Sequence, residues 1–460
     1  MRYRLSAVLT LATVTAGGLV FSITGGPAGA ACTTNCPSMS FTTVQVDTQG
    51  TNASEPKILH SPTGDLFVNA PAGLPGPSDI WRSADGGSTW TKLPLANVGT
   101  SNVTIGGGDS DLAADAAGHL YLVDLWVGNS STAVSSDNGN TWTGQPFGTV
   151  PIQDRPWVSA DPRPGHTGTV YSVTDQPGTA LWLSMAQAAG IPNPAPGVVY
   201  PVSIPEVFYG PSGTGLPVPT RGIVGAQPPG NLVTDMNGVT YNVYPDGTGV
   251  GMSVLPTGWP TSGVLPASEF VTPSASDNAT NAFPVVAVDN TADTNVYVVW
   301  SNAVSASEWD VDFASSTDGG KTWSSAVNLG QGIYPWITAD APGKVDVAWY
   351  SANLAGNPSP YGGDPNAAPS GTRWDVAFSQ SLNATSGTPS FSTPVAAVTG
   401  IKPGAICTQG TGCSADRDLG DFMSITHDGA GNALLAYVFV PSSGTSVTWF
   451  AKQTSGTGIG

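Results

Sequence analysis

The chain has 460 residues, only 10% of them charged, and 32 acidic side chains against 14 basic ones give a net charge of −18. A field of that sign opposes nucleic acid and anionic membrane surfaces, although screening over about 8 Å leaves a small anionic sugar nearly unaffected. The 58 glycines and 40 prolines fit a disordered chain, but 14 Trp, 12 Tyr and 13 Phe are spread among Val/Thr/Ser-rich runs, which calls for an all-β fold of many short strands.

The first segment reads as a targeting sequence. Arg2 and Arg4 precede an apolar run from Leu5 to about Ile23, and Ala28 and Ala30 form an A-x-A cleavage site. Gly17, Gly18, Gly25 and Gly26 interrupt the run, which favours a cleaved signal peptide over 1–31 and a secreted protein over a membrane anchor. A lipoprotein alternative rests on Cys32, but Gly29 stands three positions before it. No other stretch approaches the roughly 20 apolar residues of a membrane span. Residues 32–39 read as a linker, and 40–460 as one domain. Cys32, Cys36, Cys407 and Cys413 are an even set in an exported chain, expected as two local disulfides, Cys32–Cys36 and Cys407–Cys413, with cross-pairing as the alternative. Their spacings lack the paired C-x₂-C of a zinc site.

Ser40-Phe41-Thr42-Thr43-Val44-Gln45-Val46-Asp47 is a lone strand. After it, one unit recurs seven times: a short apolar strand, a turn, then a more hydrophobic strand. The first strands are Glu55–Leu59, Asp111–Asp115, Arg155–Asp161, Asn231–Asp235, Phe283–Asp289, Pro335–Asp340 and Asp421–Asp428. Their partners are Leu66–Val68, Leu120–Val123, Val170–Val173, Val239–Tyr241, Val296–Trp300, Val345–Trp349 and Ala433–Tyr437. A period of about 45 to 90 residues signals a repeat array. The expected fold is a β-propeller of four-stranded antiparallel blades, seven by this count and six if the weak fourth copy is discounted, with residues 40–47 closing the ring as the outer strand of the last blade.

A second pattern, S-x-D-x-G-x-T-W, occurs at Ser83–Trp90, Ser135–Trp142 and Ser316–Trp323. Asp85, Asp137 and Asp318 accept backbone N–H bonds within a turn, Gly supplies positive φ, and Trp anchors the returning strand. These aspartates are structural, in hairpins between the third and fourth strands of a blade. If first strands begin at a top face, these turns lie at the bottom. The inserts 208–229, 353–372 and 399–420 then lie at the top, where loops carry function. Around that face fall Glu55, Asp109, Asp111, Asp154, Arg155, Arg417, Asp418 and Asp421, with Tyr334 and Trp336. Arg221 and Arg373 lie in or beside the inserts, Glu308, Trp309 and Asp310 in a loop, and Trp126, Trp300, Trp349 and Tyr350 at second-strand ends. Guanidiniums, carboxyls and aromatic faces about one axis suit a sugar. The competing reading is that Asp–Arg pairs lock blades together and the Trp residues pack the core.

The S-x-D-x-G-x-T-W strings are similar to the Asp box, or BNR repeat. With Asp154-Arg155-Pro156-Trp157 and Leu419-Gly420-Asp421-Phe422, they resemble the sialidase-like superfamily over residues 40–452. In sialidases three Arg grip the substrate carboxylate, a Tyr activated by a Glu attacks the anomeric carbon, and an Asp is acid/base. The chain lacks the F/Y-R-I-P motif of that family; Glu55-Pro56-Lys57-Ile58 stands in its place. The resemblance implies a secreted glycan-active protein, a glycoside hydrolase for an acidic sugar. Arg155 and Arg417 would bind substrate, with Arg221, Arg373, Trp336, Trp126, Trp300 and Tyr350 around them. Glu55, Asp111, Asp154, Asp418 or Asp421 would supply the carboxyl chemistry, and Tyr334 is a candidate nucleophile. The alternative is a non-catalytic extracellular glycan- or protein-binding propeller. A lyase would need a Tyr or His base, but His60, His119 and His427 fall at bottom turns; His166 is the fourth histidine. The expected partner is an extracellular glycan or glycoconjugate met by a monomer, with no nucleic acid and no membrane insertion. No cofactor is required, and oxygen-rich loops leave room for a structural Ca²⁺.

Overall fold

The computed structural model describes residues 38–51, 53–73, 78–93, 107–126, 129–146, 154–176, 180–187, 229–245, 249–257, 269–273, 282–441 and 444–460. The expected signal peptide, Cys32, Cys36 and Arg221 lie outside these residues, as does the insert 208–229 up to 228. The side chain of Trp126 is likewise not described.

The strands are β1 (Ser40–Gln45), β2 (Lys57–His60), β3 (Leu66–Ala70), β4 (Asp79–Ser83), β5 (Thr91–Lys92), β6 (Ser110–Ala114), β7 (Leu120–Trp126), β8 (Asn129–Ser135) and β9 (Thr143–Pro146). They continue with β10 (Asp154–Ala160), β11 (Thr169–Gln176), β12 (Ala180–Gln187), β13 (Leu232–Thr234), β14 (Thr240–Pro245), β15 (Gly249–Leu255), β16 (Glu269–Pro273), β17 (Val285–Val288), β18 (Val296–Ser305), β19 (Glu308–Ser316) and β20 (Val327–Gln331). The last are β21 (Ile333–Ala339), β22 (Val345–Ser351), β23 (Arg373–Ser381), β24 (Val395–Pro403), β25 (Ser424–His427), β26 (Ala433–Phe439) and β27 (Val447–Ser455).

They form six four-stranded antiparallel sheets and one sheet, β10-β11-β12, with three described strands. The inner strands β2, β6, β10, β13, β17, β21 and β25 each contact the next, and β25 contacts β2, so the sheets form a closed ring about an axis. β1 pairs with β27, Phe41 opposite Gln453 and Gln45 opposite Trp449, so the chain's first described strand completes its last sheet. Radial repetition leaves each sheet only short inner and outer edges, and ring closure means that no sheet face is left uncovered at the end of the array.

Each sheet is covered on both faces by its neighbours, which is why β18, β21, β22, β23 and β26 are buried nearly along their lengths. At the end of several inner strands an aspartate shapes the turn. Asp115 Oδ1 accepts from Ala117 and His119 N–H at 3.0 Å, Asp235 Oδ1 from Asn237 and Val239 N–H at 2.8 Å, and Asp428 Oδ1 from Ala430 and Asn432 N–H at 3.0 and 2.9 Å.

The three S-x-D-x-G-x-T-W strings fold as one turn, joining β4 to β5, β8 to β9 and β19 to β20. In the first, Asp85 accepts from Thr89 N–H at 2.9 Å and from Thr89 Oγ1 at 2.7 Å, while Ser83 Oγ donates to Asp85 at 2.7 Å and accepts from Gly87 N–H at 2.8 Å. Asp137 and Asp318 repeat the set. Burial pushes these carboxyls up, but the bonds from Thr, Ser and the turn N–H groups together outweigh it and hold all three below the usual carboxylate range, Asp318 at about 2. Gly87 has a φ of +95°, and a Cβ there would meet the Phe450 ring at 2.1 Å. Its absent side chain therefore makes room for packing against β27. A fourth, degenerate turn escaped the sequence reading. Asn383 accepts from Ser390 N–H at 3.0 Å and from Ser381 Oγ at 3.2 Å, an amide doing the work of the aspartate across a longer insert.

Candidate functional site at the top of the axis

Four inner-strand starts share an X-Pro step, Glu55-Pro56, Arg155-Pro156, Phe283-Pro284 and Tyr334-Pro335, and in three of them the residue before proline is left-handed. Glu55, Arg155 and Tyr334 have φ of 54°, 47° and 56°, and Asp416 has 60°. With Asn138 they are all the non-glycine residues of positive φ among the described residues. A left-handed residue before proline is sterically disfavoured, and such strain, of order 1–3 kcal/mol each, persists where surrounding structure enforces it. Three of the five, Glu55, Arg155 and Tyr334, converge on one place. A β-carbon at Gly420, φ +66°, would lie 2.2 Å from Glu55 Cγ, so the seventh start uses glycine to let Glu55 approach.

The centre is Arg155, 3% exposed. Its Nη2 donates to Asp421 Oδ2 at 2.5 Å, its Nε lies 3.3 Å from Asp109 Oδ2, and its Nη1 lies 3.7 Å from Glu55 Oε2. Arg417 Nη2 reaches the same Asp421 oxygen at 2.8 Å and Glu55 Oε1 at 3.4 Å. Asp421 N–H donates to Glu55 Oε1 at 2.9 Å. Asp154 accepts from Arg155 N–H at 3.0 Å. Four carboxyls thus surround two guanidiniums drawn from β2, β6, β10 and β25 or the residues before them. Asp421 and Glu55 are buried, whereas Arg417 keeps 32% and Asp109 15% of its side chain exposed.

Burial, reinforced by Asp109 and Asp421, pushes the Glu55 carboxyl well above the usual carboxylate range, and Arg155 and Arg417 offset only part of this. Burial and then Asp109 raise Asp154. Burial opposes the charge on Arg155, but Asp109, Asp421 and Glu55 together raise its pKa. Tyr334 is 2% exposed; burial, then Asp421 and Glu55, push its phenol well above 10. Its hydroxyl makes no hydrogen bond, and neither do Arg155 Nε and Nη1. Each such buried donor costs about 1–3 kcal/mol.

Below the cluster the axis is plugged by Trp157, Phe283, Trp336 and Phe422, with ring centroids 5.1 to 6.0 Å apart in the pairs that touch. Arg155 lies 5.1 Å over Phe283, and Lys57 4.7 Å over Trp336. Asp111 serves this layer: it pairs with Lys57 Nζ at 3.1 Å and accepts from Val158 N–H at 3.0 Å, tying β6 to β10. Ser424 with Ile58 and Asn231 with Val286 make similar side-chain-to-backbone ties between neighbouring inner strands or the residues before them, and Ser301 of β18 accepts from Tyr334 N–H on β21.

Arg417 comes from the loop between β24 and β25, closed by the Cys407–Cys413 disulfide; local pairing therefore holds for this half of the cysteines. Cys407 N–H donates to Asp416 O at 2.8 Å. Lys402, whose side chain is 3% exposed, pairs with Asp418 at 2.7 Å and lies 3.7 Å from Asp416. Asn366, in the insert between β22 and β23, exchanges two 2.9 Å bonds with Thr408. Loop, insert and lysine together fix where Arg417 can reach.

The structure thus gathers Glu55, Asp154, Arg155, Tyr334, Arg417 and Asp421 in one cluster. Asp418 lies at its edge, paired to Lys402, a residue the sequence reading passed over. Arg373 is exposed and bonds only to local carbonyls. Trp336, Trp300 and Tyr350, expected as stacking surfaces, are 2%, 1% and 0% exposed and pack the interior instead; sheets covered on both faces bury strand-end aromatics as readily as mid-strand ones. Among the described residues no three His, Cys, Asp or Glu side chains are placed to share a metal ion, and no helix is long and apolar enough to cross a membrane.

No protein-family model and no curated protein matches the chain. Solved structures with a similar strand arrangement include YCF48 bound to D1 peptide, at 11% identity and a TM-score of 0.47, covering 93% of this chain and 98% of that one. A variant of the NanB sialidase from Streptococcus pneumoniae has 11% identity and a TM-score of 0.44, covering 89% and 70%. The leech intramolecular trans-sialidase has 12% identity and a TM-score of 0.41, covering 91% and 70%. Likeness at this level carries nothing about chemistry.

Proposed function

We propose that this is an exported, non-catalytic β-propeller that binds a glycan at the top of its axis. The observation that carries the reading is the occupation of Arg155: three carboxyls already surround the guanidinium that an acidic substrate would need. The hydrolytic reading meets a second obstacle. A tyrosine nucleophile needs a base to take its proton, yet the Tyr334 phenol and the Glu55 carboxyl are both pushed towards their protonated forms. The convergence of Tyr334, Glu55 and two arginines is the one feature that favours hydrolysis. Incubation with aryl sialosides, uronides and neutral glycosides, beside a glycan array probed with the labelled protein, separates the two. Retention of a glycan without turnover is expected; turnover abolished by Tyr334→Phe or Glu55→Gln would overturn the proposal.

A further inference from the structure

We infer that the axial cluster is built to receive a hydroxyl group of an uncharged sugar, seated between Arg155, Tyr334 and the carboxyls of Glu55 and Asp109. The inference rests on the binding reading above and names its ligand class. Arg155 Nε and Nη1 and the Tyr334 hydroxyl are three buried polar groups without hydrogen-bond partners. They belong to residues 3% and 2% exposed. Around Arg155, Asp109 Oδ2 stands at 3.3 Å and Glu55 Oε2 at 3.7 Å, near enough for attraction but unbonded to these nitrogens. The vacant capacity therefore has two signs, donors seeking an acceptor beside acceptors able to take a donor.

Three ligand chemistries can be weighed against that arrangement. A carboxylate would satisfy the donors, but Asp421 and Asp109 already face Arg155 and Asp421 also pairs with Arg417, so it would compete with carboxyls already in place and could donate nothing to Glu55 or Asp109. An ammonium would suit the carboxyls, but it has three donors and no acceptor, and Arg155 and Tyr334 would stay unsatisfied. A hydroxyl has one donor and two acceptor lone pairs, so it can accept from Arg155 or Tyr334 while donating to Glu55 or Asp109. It needs no charge of its own. Arg417 and Asp109, with 32% and 15% of their side chains exposed, bring the cluster to solvent. The positive φ of Glu55, Arg155 and Tyr334 is consistent with side chains held in place for a ligand.

Titration calorimetry with methyl glycosides of neutral hexoses, sialosides and uronides, on the wild type and Tyr334→Phe, tests this. The expected result is binding of a neutral glycoside, weakened about tenfold when the single hydroxyl is deleted, with acidic glycosides weaker than neutral ones. Binding of acidic glycosides alone would overturn the ligand class and leave the binding reading standing, whereas turnover would overturn the binding reading itself. Crystals of the wild type soaked in the neutral glycoside provide a second measurement should Tyr334→Phe fold poorly. A sugar hydroxyl within hydrogen-bond distance of Tyr334 Oη supports the inference, and an ordered water alone at that position, with no glycoside bound, sinks it.

Discussion

Replacing Arg155 with methionine distinguishes a guanidinium that holds the blades from one that waits for a ligand. The side chain is 3% exposed and faces Asp421 at 2.5 Å, Asp109 at 3.3 Å and Glu55 at 3.7 Å. Removing one partner of a buried ion cluster leaves the others uncompensated, at a cost of about 3–5 kcal/mol. Methionine retains most of the stem's packing, so the loss comes mainly from charge. Arg155→Met/Asp421→Asn removes a positive and a negative group together, and the pair should be non-additive, with a coupling of about 1–3 kcal/mol. The cost should also depend on pH. The folded-state pKa of Glu55 lies well above its ordinary 4.5. Its contribution to stability is therefore fully present below about 4.5 and lost as pH rises through the raised value. Loss of Arg155 should accordingly hurt more at neutral pH than at pH 4. Urea denaturation of the wild type, Arg155→Met, Asp421→Asn and the double variant at both pH values reads all of this. A single-mutant cost under about 1 kcal/mol at neutral pH, with no coupling to Asp421, would refute the lock and return Arg155 to the role of a free ligand-gripping group.

Two further outcomes follow from buried chemistry away from the centre. Asp346 is fully buried on β22, accepts one bond from Gln380 at 2.8 Å, and burial pushes its carboxyl up to about 8 from 3.8. Its contribution is present below about pH 4 and lost as pH rises through about 8. At about 1.4 kcal/mol per pH unit, Asp346→Asn should gain up to roughly 4 kcal/mol at pH 7 and little at pH 4; an equal change at both, read by thermal or urea unfolding, would exclude the reasoning. Replacing Cys407 and Cys413 by serine should cost about 2 kcal/mol in the chain-entropy account of a short loop. It should also raise hydrogen exchange across residues 404–421, while unchanged exchange there would mean that Lys402 and Asn366 alone hold Arg417.

The outline of the fold was written in short-range patterns, and those survive translation into structure. The closing strand at 40–47 and the Asp85, Asp137 and Asp318 turns are each set by residues within eight positions of one another, or by a strand period that any single segment displays. The turn at Asn383 was missed because its second half is displaced by an insert and its carboxylate is an amide, so the spacing that identifies the motif is lost although the bonds are kept. The gathering of Arg155, Arg417, Glu55 and Asp421 was also legible, because equivalent starts of successive repeats must meet around an axis.

What the repeats could not disclose is how these charges would divide their attention. Arg155 with Asp421 spans 266 residues and Asp421 with Glu55 spans 366, and nothing local distinguishes an arginine aimed at a ligand from one aimed at three acids. The same ambiguity covered Trp336: an aromatic at a strand start suits a sugar face as well as a core, and here it packs against Trp157, 5.6 Å away. Strain supplies the missing discrimination. A pure ion-pair lock gains nothing from left-handed backbone at Glu55, Arg155 and Tyr334, since ordinary φ would let the same side chains pair at less cost. A site that must hold two unsatisfied donors and a phenol at fixed positions does gain from it. The locked charges and the strained backbone are therefore two parts of one arrangement, in which the carboxyls fix Arg155 and the backbone fixes what Arg155 leaves open.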